Sequence, residues 1–122
     1  MAEKLMIVMV NTDLANPSEL GAPFYQATVA AAMDYEVEII LTGRAGELAK
    51  KGVAEKIFSP EGSAHSVYHF MRESHEAGAR LKVCTPTLAI WGEDLIPEIE
   101  ETVGAAYVIS EAMSEGTVTF TY

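Results

Sequence analysis

Cysteine is nearly absent from this chain: there is one, Cys84, in 122 residues. A single thiol closes no internal disulfide, which agrees with a reducing compartment, and any redox step through it needs a thiol from another molecule. Positive charge is also scarce, with 8 Lys and Arg against 18 Asp and Glu and a formal net charge of −10. That balance repels phosphate backbones and supplies no basic stripe, so neither nucleic acid nor an anionic membrane is expected as a partner; a cationic protein patch is. Long apolar runs are missing too, since Leu5 to Val10 is far too short to span a bilayer. The lead Met1-Ala2-Glu3-Lys4 has neither the length nor the cleavage pattern of a signal peptide, and the expectation is a cytoplasmic protein. No GxGxxG or GxxxxGK[ST] loop occurs, and Asn11 to Asn16 holds no glycine, so the usual phosphate motifs give nucleotide binding no support.

What is present fits one domain over residues 1–122, because 49% hydrophobic content at this length fills one core and not two. Leu5 to Val10 reads as a central strand covered on both faces. Asn16-Pro17-Ser18-Glu19 offers a capping-box-like helix entry, followed by Leu20, Phe24, Ala27 and Ala31 at helical spacing. Pro23 inside that pattern predicts a kink or a true start near Ala22, and Gln26 to Met33 is the firm part. Val37 to Leu41 reads as a second strand, Ala45 to Lys51 as a short helix closed by Gly52, and Lys56-Ile57-Phe58 as a brief strand. Beyond Ser59-Pro60-Glu61-Gly62, the spacing predicts a helix over Ser63 to Ala77, with Val67, Phe70, Met71, Ser74 and Ala77 on one face and Gly78 as its stop. After it come a strand ending at Cys84, a helix over Pro86 to Trp91, an acidic helix from about Asp94 to Val103, a buried-type strand over Ala105 to Ile109, and an edge or interface strand over Thr117 to Tyr122. Strands alternating with helices predict an α/β fold, a mostly parallel sheet with helices on both faces.

Cys84 stands where Leu81-Lys82-Val83 gives way to Thr85-Pro86-Thr87, and ligands of open α/β sheets sit outside the carboxyl ends of strands. Thr85 suits an N-cap and Pro86 the first helical position, so unpaired amides of that turn would lie near the sulfur and favour a thiolate or persulfide anion. Lys82 shares a strand face with Cys84 and would add positive potential; Thr85 and Thr87 would donate hydrogen bonds to a persulfide. Trp91, seven residues on, would shield the sulfur or receive a partner's side chain. His65 and His69 are four apart on a helix and so spaced could hold one metal ion, with Cys84 as a third ligand. His75 is given no role.

The order of these features resembles the DsrE/DsrF-like family of small sulfur-handling proteins. The residues that carry the resemblance are Leu5 to Val10, the Asn16-Pro17 entry, the Ala-rich helix with Val37-Glu38-Ile39-Ile40-Leu41-Thr42-Gly43, and above all Gly78-Ala79-Arg80-Leu81-Lys82-Val83-Cys84. The resemblance implies a flavodoxin-like three-layer α/β/α fold and a homo-oligomer, often a trimer or hexamer. It further implies a cysteine, here Cys84, that accepts sulfane sulfur as a persulfide and passes it on, with rhodanese-like and TusA-like proteins as partners. Several relatives carry a second cysteine; its absence here favours a carrier over a self-resolving redox enzyme. Transfer between thiolates needs no cofactor. Two alternatives stand beside the sulfur carrier: a small-ligand or metal-binding module using the same crevice with His65 and His69, and a partner-binding subunit in which Cys84 is buried.

Overall fold

Period-two alternation along apolar runs gives the sheet of this protein two faces of different chemistry. The computed structural model describes residues 3–58 and 64–122. Its strands are β1 (Lys4–Met9), β2 (Glu36–Leu41), β3 (Arg80–Cys84), β4 (Ile99–Val103) and β5 (Thr117–Thr121), all parallel, in the order β4-β3-β2-β1-β5. The chain steps outward from β1 to β4 and then returns to add β5 on the far side of β1. Helices α1 (Gly21–Ala32), α2 (Val67–Ala77), α3 (Thr85–Trp91) and α4 (Ala105–Ala112) lie in the connections.

On the first face, Ile7 and Met9 of β1, Val37, Ile39 and Leu41 of β2, and Leu81 and Val83 of β3 meet Phe24 and Ala27 of α1 and Val67 and Met71 of α2. This is the main core, and each large side chain in it contributes roughly 1.5–3 kcal/mol by leaving water. The second face carries the alternate residues. Met6, Ile40, Cys84 and Val103 form a smaller cluster there, against which Tyr107, Val108 and Ala112 of α4 pack. The sheet is therefore covered on both sides, the three-layer arrangement expected of the alternating pattern.

β1, β2 and β5 form where the sequence places them, and β5 is an edge strand beside β1. Pro23 neither kinks nor breaks α1, because the helix begins at Gly21 and the proline falls in the first turn, where its missing N–H has no intrahelical partner to lose. α2 starts at Val67 with Ser66 as its cap, whose hydroxyl accepts from the His69 amide at 3.4 Å. The expected start at Ser63 lies outside the described residues. Gly78 ends that helix in the left-handed region at φ 118°, as its position in the sequence suggests.

Four expectations are corrected. The expected helix over Ala45 to Lys51 is instead a 3-10 helix spanning Gly43–Ala49, and Lys50 leaves it extended to bridge Leu95. Lys56 to Phe58 is no strand: Ala54–Lys56 is a 3-10 turn and Phe58 makes one isolated bridge to Ser66. Asp94 to Val103 is no acidic helix, because its second half is β4. There Glu101 meets Lys82 across the sheet at 2.7 Å and Glu100 lies 3.4 Å from His75, so tertiary partners decide against the helix that the acidic stretch suggested. Ala105 to Ile109 is no strand but the start of α4. Gly104 ends β4, the Ala pair favours helix, and Tyr107 and Val108 meet the sheet while Ile109 faces solvent.

Candidate functional site

β3 delivers Cys84 to its own carboxyl end, opposite Val103 of β4, with Ile40 in the same small cluster. The residue is only 9% exposed. It is also the N-cap of α3, with φ −70° and ψ 136°, so Thr85 is the first helical residue and not the cap. The Thr85 hydroxyl donates instead to the Val103 carbonyl at 3.2 Å, tying the start of α3 to the edge strand. The Thr87 hydroxyl donates to the Cys84 carbonyl, so in this arrangement it bonds backbone and not sulfur. Thr87 also closes against Gly46, where an added Cβ would stand 2.8 Å from its methyl group; only glycine lets α3 approach the turn after β2 this closely.

Lys82 shares the second sheet face with Cys84, as the alternation requires, but its ammonium is already engaged. It pairs with Glu38 at 2.7 Å and Glu101 at 2.7 Å, and it donates to the Tyr107 hydroxyl at 2.6 Å while lying 4.6 Å from that ring's centre. Tyr107 in turn donates to Glu38 at 2.6 Å. Lys4 closes the other side, pairing with Glu38 and with Glu111 of α4, the latter at 2.5 Å. Burial alone would raise the Glu38 pKa; the hydrogen bonds from Lys4, Lys82 and Tyr107 outweigh it and hold the carboxyl at about 2, against an ordinary 4.5. Lys82 is pushed the opposite way by its partners, above its ordinary value despite the burial. Lys82 is thus one member of an ionic network beneath α4, whose Tyr107 packs against the small cluster that holds Cys84.

Trp91 donates its indole N–H to the Gly43 carbonyl at 3.0 Å and lines a cleft with residues of the loop after β1, away from the small cluster that holds Cys84. His65 and His69 stack ring on ring, centroids 3.9 Å apart and 13° from parallel, and His69 pairs with Glu73 at 2.8 Å. Among the described residues, no three of His, Cys, Asp and Glu stand together as metal ligands would. The structure therefore groups Cys84, Lys82 and Thr85 about the β3–β4 junction and sets Trp91 and the histidine pair apart.

Sequence reasoning passed over Lys4, Glu38, Glu101 and Tyr107. The signal was present: β1, β2 and β3 carry charges of alternating sign within or beside their apolar runs, Lys4, then Glu36 and Glu38, then Arg80 and Lys82. Once the strands are adjacent and parallel, Lys4, Glu38 and Lys82 face one another.

A solved structure, the crystal structure of the ychN protein from E.coli, is similar over its whole length, with a TM-score of 0.68 at 12% identity and both chains covered 100%. That likeness speaks for the fold. A comparison with the sequences of curated proteins finds no match. The model of the DsrE/DsrF-like family matches residues 4–122, nearly the whole chain and including β3 with Cys84; the chain belongs to the DsrE/DsrF-like family.

Proposed function

We propose that this chain is a cytoplasmic sulfur carrier or sulfurtransferase, acting as one domain over residues 1–122, with Cys84 as the atom that holds the sulfur. Membership of the family supports a sulfur-related role. The observation that carries the finer reading is the placement of the sole thiol at the carboxyl end of a parallel strand, where such sheets do their chemistry. The Cys84 thiolate attacks the terminal sulfur of a donor persulfide, forming Cys84–S–S⁻ and releasing the donor thiolate. An acceptor thiolate then attacks that terminal sulfur and restores Cys84. Sulfur changes hands with no net oxidation, so no cofactor takes part. Donor and acceptor are rhodanese-like and TusA-like proteins in this reading, and the chain acts as a homo-oligomer, a trimer or hexamer. The exposed apolar side chains Tyr25, Val29, Met33 and Phe120 support such an assembly. Among the described residues, no helix is long and apolar enough to cross a membrane.

The burial of Cys84 favours one competing reading, a partner-binding subunit whose cysteine is a core residue. Mass spectrometry of the intact protein after brief exposure to polysulfide separates the two. Wild type is expected to gain whole sulfur atoms, removable with dithiothreitol, and Cys84→Ser to gain none while remaining folded. No gain on a thiol that still reacts with an alkylating reagent overturns the carrier.

A further inference from the structure

The cleft beside Trp91 is built from three elements: Asp13, Leu14 and Ala15 of the loop after β1, Arg44 and Glu47 of the turn after β2, and Trp91 at the end of α3. It lies at the carboxyl-end side of the sheet and holds about 310 Å³, the lower end of the range for small-molecule sites. We infer that this cleft binds a small zwitterion of the α-amino-acid class, its carboxylate on Arg44, its ammonium on Glu47 and Asp13, and its apolar part against Trp91 and Leu14.

The charges select that class. A simple anion would approach a chain of net charge −10 and meet two carboxylates; a simple cation would meet the Arg44 guanidinium. A zwitterion answers both signs and carries no net charge into the field. The charged groups are only loosely engaged with one another. Arg44 and Asp13 form an ion pair at 3.9 Å, beyond hydrogen-bond length and between side chains that are both exposed, and Glu47 has no ion-pair partner among the described residues. Asp13 is held in place, because one of its oxygens accepts from the Ala15 amide at 2.9 Å. Trp91 is anchored through its N–H to Gly43, which fixes the ring as a wall.

Trp91 is the only tryptophan, so its emission reports on this cleft alone. L-Leucine is the probe, with isoamylamine and 4-methylpentanoate as the analogues lacking the carboxylate and the ammonium, and calorimetry run alongside so that a silent ring does not hide binding. Saturable binding of L-leucine is expected, each analogue about tenfold weaker or worse, as loss of a charge-assisted contact implies. Arg44→Ala and Glu47→Gln should each weaken L-leucine by a similar factor. Cys84→Ser should bind as wild type, which separates this site from the sulfur reading. No saturable binding by either method, either analogue binding as well as L-leucine, or wild-type affinity in both cleft variants overturns the proposal.

Discussion

The two faces of the sheet are covered by different means. Under α1 and α2 the contact is apolar but for the buried Ser74, whose hydroxyl donates to the Met71 carbonyl of its own helix, and packing depends on buried area. Under α4 the central contacts are ionic: Lys4, Glu38 and Lys82 point from three adjacent strands toward Glu111 and Tyr107. α4 contributes no fully buried residue, and its Ile109 and the Met113 that caps it stand in solvent at 64% and 80% exposure. Apolar area is tolerant of small shifts, whereas paired charges fix one position and fail sharply when a partner is lost. Cys84 lies on the second face, so the cover over the thiol is the one held by charge.

The largest way to break the comparison is Glu38→Ala. It removes the carboxylate shared by two buried ammonium groups, leaving Lys4 to the partly exposed Glu111 and Lys82 to the exposed Glu101, and should cost about 3–5 kcal/mol in urea unfolding, as loss of one partner of a buried pair does. Phe24→Ala on the first face should cost a similar 3–5 kcal/mol through its cavity, so size alone does not separate the faces. Acid does. Glu38 titrates at about 2 in the folded chain against 4.5 ordinarily, so its contribution is complete above pH 4.5 and fades as pH falls through 2. The gap between wild type and Glu38→Gln should therefore narrow from pH 5 to pH 2.5, while the gap to Phe24→Ala should be far less sensitive. An unchanged Glu38 gap across that range would show that the network is not what holds this face.

The same contrast explains what the sequence discloses. The first face is legible because continuous apolar runs and a helical stripe such as Val67 and Met71 have one economical solution, a buried strand against an amphipathic helix. The Cys84 position is legible for the same reason, since it ends such a run before Thr85-Pro86. β4 and α4 mislead because their burial is slight and their partners are distant in sequence. Glu101 is a strand residue on account of Lys82, and Tyr107 is oriented by Glu38, 69 positions earlier. Local spacing in those segments carries no trace of the partner. Lys82 was expected to lend its charge to the sulfur, and the three groups that claim it all come from other elements.

Tyr107→Phe gives the finest test. It removes one hydroxyl that bridges Lys82 and Glu38, each at 2.6 Å, and leaves the ring that packs beside Cys84. The loss should cost about 1–2 kcal/mol, because buried polar groups lose a partner without losing volume. If that cost falls on the attachment of α4, the open state gains the same factor. Cys84 should then react with a disulfide reagent roughly five- to thirty-fold faster without denaturant. Val67→Ala is the control, since it trims the apolar face by a comparable amount and leaves α4 untouched. Fast thiol reaction in Tyr107→Phe and a wild-type rate in Val67→Ala would show that the charged face opens on its own. Equal acceleration in both variants would mean that the thiol is reached through opening of the whole domain, and the two faces would then be parts of one cooperative unit.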